Sequence, residues 1–223
     1  MYWMIDLHTH TLFSDGALLP FELARRAEAA GYRALAFTDH VDPSNIEYIV
    51  PALLKAAKEL EGKLGFNVIP GAELTHVPPS MIAGLCARAR ELGAALVLVH
   101  GETLVEPVAQ GTNRAAIEAG VDILAHPGLI TPEEAALAAR LGVVLEVTAR
   151  AGHSLSNGHV VVVGRAAGAT FVLNTDTHAP GDMVSLEFAG QVMTGAGMSN
   201  EEIKGAFSAS ENMVEKALGR MNA

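Results

Sequence analysis

Three features of the sequence predict an α/β fold, a distorted (β/α)7 barrel. First, one phrase recurs along the 223 residues: an alanine- or leucine-rich helical end, then Gly, then a short apolar run, then polar residues. Second, the apolar runs are continuous rather than alternating, as in parallel strands buried on both faces. Third, helical stretches lie between successive runs, and alternating β and α segments argue for a parallel sheet.

The strands follow in order. "MYWMIDLH" is the first, and there Asp6, His8 and His10 at i, i+2 and i+4 are expected to share one strand face. The other six are "AAGYRALAFTDH", "KLGFNVIPGAEL", "ELGAALVLVHGE", "EAGVDILAHPG", "RLGVVLEVTA" and "AAGATFVLNTDTH". In each, Gly stands where a helix C-terminus places it. The intervening helices begin with "PFELARRAEAAG", which has Pro20 at its first turn. "PSNIEYIVPALLKAAKELEG" and "PPSMIAGLCARARELG" come next, then "TPEEAALAARLG", where Thr131 and Glu134 match a capping box. "SNGHVVVVGRAAG" carries a valine run of strand propensity, but its position between two strands argues for a helix. "MSNEEIKGAFSASENMVEKALGRMNA" reads as one or two closing helices. No low-complexity linker divides the chain, so residues 1–223 are expected to form one barrel domain resembling the TIM type with one unit fewer.

Composition narrows the function. Half of the residues are hydrophobic, enough for a sizeable core. With 15 basic and 25 acidic residues the net charge is −10, which disfavours long nucleic acid or an anionic membrane surface as a partner but leaves a narrow nucleotide cleft open. Cys86 is the only cysteine, which removes intrachain disulfides and thiolate zinc sites. The start lacks a basic segment followed by a long apolar one, and no apolar run is long enough to span a bilayer. A cytoplasmic protein is expected; the oligomeric state stays open.

In such a barrel the functional groups gather at the C-terminal ends of the strands. Here those ends carry His8 and His10; Thr38, Asp39 and His40; Glu73 and His76; His100 and Glu102; His126; Glu146 and Arg150; Asp176 and His178. Seven of the nine histidines fall there: the six His8, His10, His40, His100, His126 and His178, besides His76. Isolated structural histidines would scatter over helices and loops, whereas six imidazoles with several carboxylates on one rim suit a polynuclear metal site. Imidazole and carboxylate without thiolate suit Zn, Mn, Fe or Ni. Closely spaced cations repel, so a bridging acid is expected, and Glu73 on the middle strand is the natural one.

At this point the sequence resembles the PHP (polymerase and histidinol phosphatase) family. "DLHTHTLFSDG" is similar to its first motif, "FTDH" to the second and "GAELT" to the third; "LVHGE" and "ILAHPG" each supply a histidine, and "NTDTH" resembles the closing motif. These stretches span residues 6–178. The resemblance implies three divalent transition-metal ions (Mn, Zn or Fe). His8, His10, Glu73 and Asp176 would hold one, Glu73, His100 and His126 a second, and Asp15, His40 and His178 a third. Asp15 also reads as an ordinary turn residue in "SDG".

The implied activity is hydrolysis of a small phosphomonoester, as in a histidinol phosphatase, with a metal-bridging hydroxide as nucleophile. Glu73 and Asp176 are the expected catalytic centre. Arg150 reads either as a bidentate phosphate donor or as a surface arginine paired with an acid. His153 is the expected proton donor to the leaving group, ahead of Asn157 and His159. His76 and Glu102 read as partners that orient ligands or as solvated loop residues, and Asp6 as an acceptor for loop amides or a ligand imidazole. The rival activities are a nucleotide phosphodiesterase or short-oligonucleotide exonuclease, an amidohydrolase-type C–N hydrolase, and a non-catalytic metal-binding module.

Overall fold

The computed structural model describes residues 2–222. Its strands are β1 (Ile5–Asp6), β2 (Ala34–Phe37), β3 (His40–Val41), β4 (Asn67–Leu74), β5 (Leu96–His100), β6 (Ile123–Ala125), β7 (Val144–Thr148) and β8 (Phe171–Asn174). All pair in parallel, in the order β1-β2-β4-β5-β6-β7-β8. β3 pairs with β4 in the register of β2: Phe37 faces Pro70 and His40 faces Glu73. It therefore continues β2 past Thr38 and Asp39, and the barrel has the seven staves that the sequence predicts. Among the described residues no ladder joins β1 to β8. An isolated bridge between Thr9 and Thr177 spans the seam, and Asn174 Oδ1 accepts from Leu7 N at 2.9 Å. The barrel is thus nearly closed.

The helices are α1 (Pro20–Ala29), α2 (Ile46–Leu60), α3 (Pro79–Glu91), α4 (Thr112–Glu118), α5 (Pro132–Leu141), α6 (Asn157–Ala167), α7 (Leu186–Gly195) and α8 (Asn200–Met221). α5 opens on the Thr131/Glu134 capping box, and the valine run of "SNGHVVVVGRAAG" is helical, buried through Val160 and Val161. Two helices were not legible in the sequence. α4 is only seven residues long and starts after Gly111 in the left-handed region. α7 holds Gly190 and ends on Gly195, which dilutes its helical propensity. The closing stretch forms one helix, Asn200–Met221, rather than two.

Two apolar layers result. Leu35, Phe37, Leu53, Leu74, Val97 and Leu145 belong to the layer between strands and helices. Ile5, Leu7, Ile69, Leu98 and Ile123 belong to a second cluster, together with Ala209, Val214 and Ala217 of α8. α8 therefore packs against the N-terminal end of the barrel, and the catalytic groups of such a fold gather at the other. A polar clamp fixes α8 there. Asp122, buried at the start of β6, accepts from Val97 N, Arg90 and Arg220, each at 2.9 Å; Arg220 also donates to Ala95 O at 2.7 Å. Replacing Asp122 with Ala leaves two half-buried guanidinium groups without their acid. The expected loss is about 3 kcal/mol of stability, measured by denaturant unfolding. An unchanged midpoint would show that the clamp contributes nothing.

Candidate metal centre

The strand ends deliver their polar groups to one place, though not all as expected. β1 ends at Asp6, so Asp6, His8 and His10 do not share a strand face. Beyond it, side chains add to the backbone bond from Thr38 N to Thr9 O: Thr9 Oγ1 donates to Ala36 O, and Thr9 N donates to Thr38 Oγ1. Asp6 turns to the seam, where it accepts from Thr175 N and His8 N. Burial outweighs those bonds and pushes its carboxyl up to about 7. His8 and His10 are buried inside the mouth.

Asp39 organises the next loop. Its Oδ1 accepts from Thr11 N at 2.8 Å, Ser14 N at 3.0 Å and Ser14 Oγ at 2.8 Å. That clamp folds the "SDG" turn back on the strand end, and a Cβ at Gly16 would collide with the carbonyl oxygen of His10. Asp15 is thereby carried to His178 Nε2 at 3.2 Å and His40 Nε2 at 3.5 Å.

Glu73 lies at the centre, fully buried. Its oxygens meet His40 Nδ1 at 2.7 Å, His8 Nε2 at 3.3 Å, His10 Nε2 at 3.7 Å and His126 Nε2 at 3.8 Å. Asp176 Oδ1 meets His10 Nε2 at 3.1 Å and His8 Nε2 at 3.7 Å, while Oδ2 lies 3.9 Å from His126 Nε2. Glu146 holds the far side of His8, with Oε2 2.9 Å from Nδ1. His126 and Asp176 both adopt positive φ although neither is glycine. Such strain concentrates at functional sites.

The electrostatics follow from this crowding. Burial depresses the His8 imidazole, but Glu146, Glu73 and Asp176 outweigh it and raise its pKa well above the usual value. His10 is pulled down to about 3 by burial and His40, and His126 is held well below the ordinary range by burial and His100. Burial opposes ionisation of Glu73, yet the His8 and His40 imidazoles carry its carboxyl well below the normal range.

A fit to metal ions can be tested on the unpaired atoms. Nine buried side-chain N or O atoms among the described residues lack a hydrogen-bond partner, and eight belong to His8, His10, Glu73, His126, Glu146 and Asp176. An unsatisfied buried polar group costs about 1–3 kcal/mol, so the convergence of six such residues is consistent with bound metal ions. Several of their mutual distances, from 3.3 to 3.9 Å, exceed good hydrogen bonds. They lie at or a few tenths of an ångström beyond the donor-to-donor edges of about 3.3–3.6 Å around a tetrahedral ion bound at 2.0–2.2 Å. The donor set suits several transition-metal cations, and nothing in it selects one element.

The remaining expectations divide. Arg150 lies at the mouth, with Nη1 2.9 Å from Asp182 and Nε 3.9 Å from Asp176. His153 stacks on His126 with centroids 4.2 Å apart, and Thr103 Oγ1 lies 2.6 Å from its Nδ1. His100 turns its Nε2 to Glu106 at 3.1 Å rather than to Glu73. Glu106 has no counterpart among the expected residues. It also meets His76 and His153, at 3.0 and 3.4 Å. Glu102 does not reach the imidazoles; it accepts from Gly111 N and Asn113 N at the start of α4. Asn157 bonds to the backbone of Thr148, and His159 to Ile130 O. The mouth encloses a cavity of about 230 Å³ bordered by Asp15, His40, His76, Arg150 and His178.

Comparison with known proteins follows this geometry. The PHP domain family model matches residues 6–149. An uncharacterized protein of Methanocaldococcus jannaschii, MJ1295, is 47% identical over 201 residues, covering 89% of this chain and 92% of its own. A chain in the structure of archaeal ribonuclease P with mature tRNA superposes with a TM-score of 0.72 at 15% identity, covering 99% of this chain and 94% of its own. The Lactococcus lactis histidinol phosphate phosphatase, complexed with zinc, L-histidinol and phosphate, gives 0.60 at 15% identity, covering 87% and 94%. At that identity the two structures share the fold. The family match extends over more than half of the chain and contains the HxH, FTDH and GAEL stretches: the protein belongs to the PHP domain family.

Proposed function

We propose that the protein is a metal-dependent phosphoesterase acting on a small phosphomonoester. The carrying observation is the convergence of eight unpaired buried donor atoms beneath a mouth that also holds an arginine. His8, His10, Glu73 and Asp176 would hold one cation, Glu73 and His126 with His100 a second, and Asp15, His40 and His178 a third. Bound cations would supply Lewis acidity toward phosphoryl oxygens and lower the pKa of water.

The chain's own groups do the rest. Glu146 fixes the His8 ring from behind through Nδ1, leaving Nε2 aimed into the mouth. Asp182 accepts from Arg150 and from His178 N and Ala179 N, so it presents the guanidinium at the rim, where it can donate to a phosphoryl oxygen. Thr103 fixes His153 through Nδ1, and Nε2 faces the rim as the proton donor to a leaving oxygen. A cavity of about 230 Å³ admits a phosphoryl group and little more, so a larger leaving group would lie outside it.

The test is a phosphate-release screen of manganese-loaded protein against metabolites, including histidinol phosphate and mono- and bisphosphorylated nucleosides. Phosphate release from a subset supports the reading. Release of ammonia or amine from an amide panel instead would make it a C–N hydrolase. Nucleotide release from short oligonucleotides without free phosphate would make it an exonuclease.

A further inference from the structure

An apolar groove of about 550 Å³ lies outside the mouth, between the start of α1 and the outer face of α2. Phe13, Leu19 and Phe21 line one side of it, and Ala52, Lys55, Ala56 and Glu59 of α2 line the other. Phe13 is 43% exposed, Leu19 57% and Phe21 53%. Tyr48 stands one turn before Ala52 on the same face of α2 and is 77% exposed. This stripe lies off the face that α2 buries through Ile46, Ile49, Val50, Leu53 and Leu60. At about 200 Å² for a side chain of this size, the four exposed residues present roughly 450 Å² of apolar surface.

We propose that this face is a homodimer interface, covered by a second copy of the chain across a two-fold axis. The area fits. Each partner in a standard interface buries about 800 Å², a little over half of it apolar. The charges fit a copy better than a different partner. Lys55 and Glu59 stand one turn apart on α2 and both line the groove. A two-fold axis perpendicular to α2 sets the two helices antiparallel, so Lys55 of each copy faces Glu59 of the other, and one contact is made twice. Among the described residues no carboxylate pairs with Lys55, and Glu59 has only a 3.4 Å approach from the exposed Lys63. A nucleic acid or an anionic surface would call for a surplus of cations, whereas the groove carries one charge of each sign. Ala52 and Ala56, four residues apart, let the two helices approach closely. The interface would also brace the turn that holds Phe13 and, two residues on, brings Asp15 to His40 and His178.

Sedimentation equilibrium of the full chain over a range of micromolar concentrations tests the assignment. The unaltered chain is expected to run at twice its 23.3 kDa mass and to dissociate on dilution. Phe21→Glu places a charge in the apolar part of the face and should give a monomer with an unchanged circular dichroism spectrum. Lys55→Glu and Glu59→Lys each set like charges opposite one another twice, and each should raise the dimer Kd by roughly tenfold or more. The double variant Lys55→Glu/Glu59→Lys restores the pairing with its signs exchanged and should recover most of that loss. An unaltered chain that stays monomeric at every concentration overturns the assignment and leaves the face to a different protein. A dimer whose Kd is unmoved by Phe21→Glu is built on another face, which overturns it as well. A double variant no tighter than the single ones overturns the antiparallel pairing of α2.

Discussion

Replacing Glu73 with Gln is expected to remove both the metal complement of the inner cluster and the phosphate-releasing activity. Glu73 makes close approaches to four imidazoles, so one carboxylate serves several ligand groups at once. Gln keeps the size of the side chain but presents one oxygen and an NH2 group that repels a cation. Closely packed cations then lose the charge that offsets their mutual repulsion. A fall of at least about 10³-fold in kcat/KM is expected, equivalent to about 4 kcal/mol in the barrier. Elemental analysis of the same sample should show fewer bound equivalents, while circular dichroism shows an intact fold. A Glu73→Gln protein with full turnover and full metal content would remove Glu73 from the centre of the mechanism.

Much of this site is legible in the sequence because parallel-strand architecture writes chemistry into a fixed position. Buried apolar runs mark the strands, and the polar residue after each run must sit on one rim. His8, His40, Glu73, His126 and Asp176 all lie where that reading places them, within reach of one another. The method fails where position depends on loop closure. Glu106 lies in "GETLVEPVAQG", irregular chain between β5 and α4 with no periodicity to aim it. Only the folded loop brings it to His76, His100 and His153. Asp39 was visible in "FTDH", but its role as a clamp on Thr11 and Ser14 depends on a turn 25 residues earlier. The alternation of Asp6, His8 and His10 misled for a related reason. A strand reading assumes a continued ladder, whereas β1 ends at Asp6 and side chains of Thr9 and Thr38 carry much of the bonding beyond it.

Removing the metal is expected to cost more stability than any single side-chain substitution outside the cluster. A cation that binds the folded chain and not the unfolded one at a hundred times its Kd adds about 2.7 kcal/mol. For a chain of this size each kcal/mol moves Tm by about 2–4 °C. Each occupied inner position should therefore raise Tm by about 5–10 °C, read by calorimetry with and without chelator. The effect depends on pH in a defined direction. Carboxylate neighbours overcome burial and raise the pKa of His40, His100 and His178 in the metal-free chain. Those imidazoles stay protonated further up the pH scale, and a cation must displace their protons to bind. Loading therefore releases protons, and the metal-dependent part of Tm shrinks as pH falls from 8 to 6. His10 and His126, held well below the ordinary range, are already neutral there and add nothing to that slope. A chelator-induced drop in Tm of equal size at both pH values would mean that the cations do not compete with these imidazole protons. The donor atoms would then have to be sought among the carboxylates and the imidazoles already neutral there, those of His10 and His126.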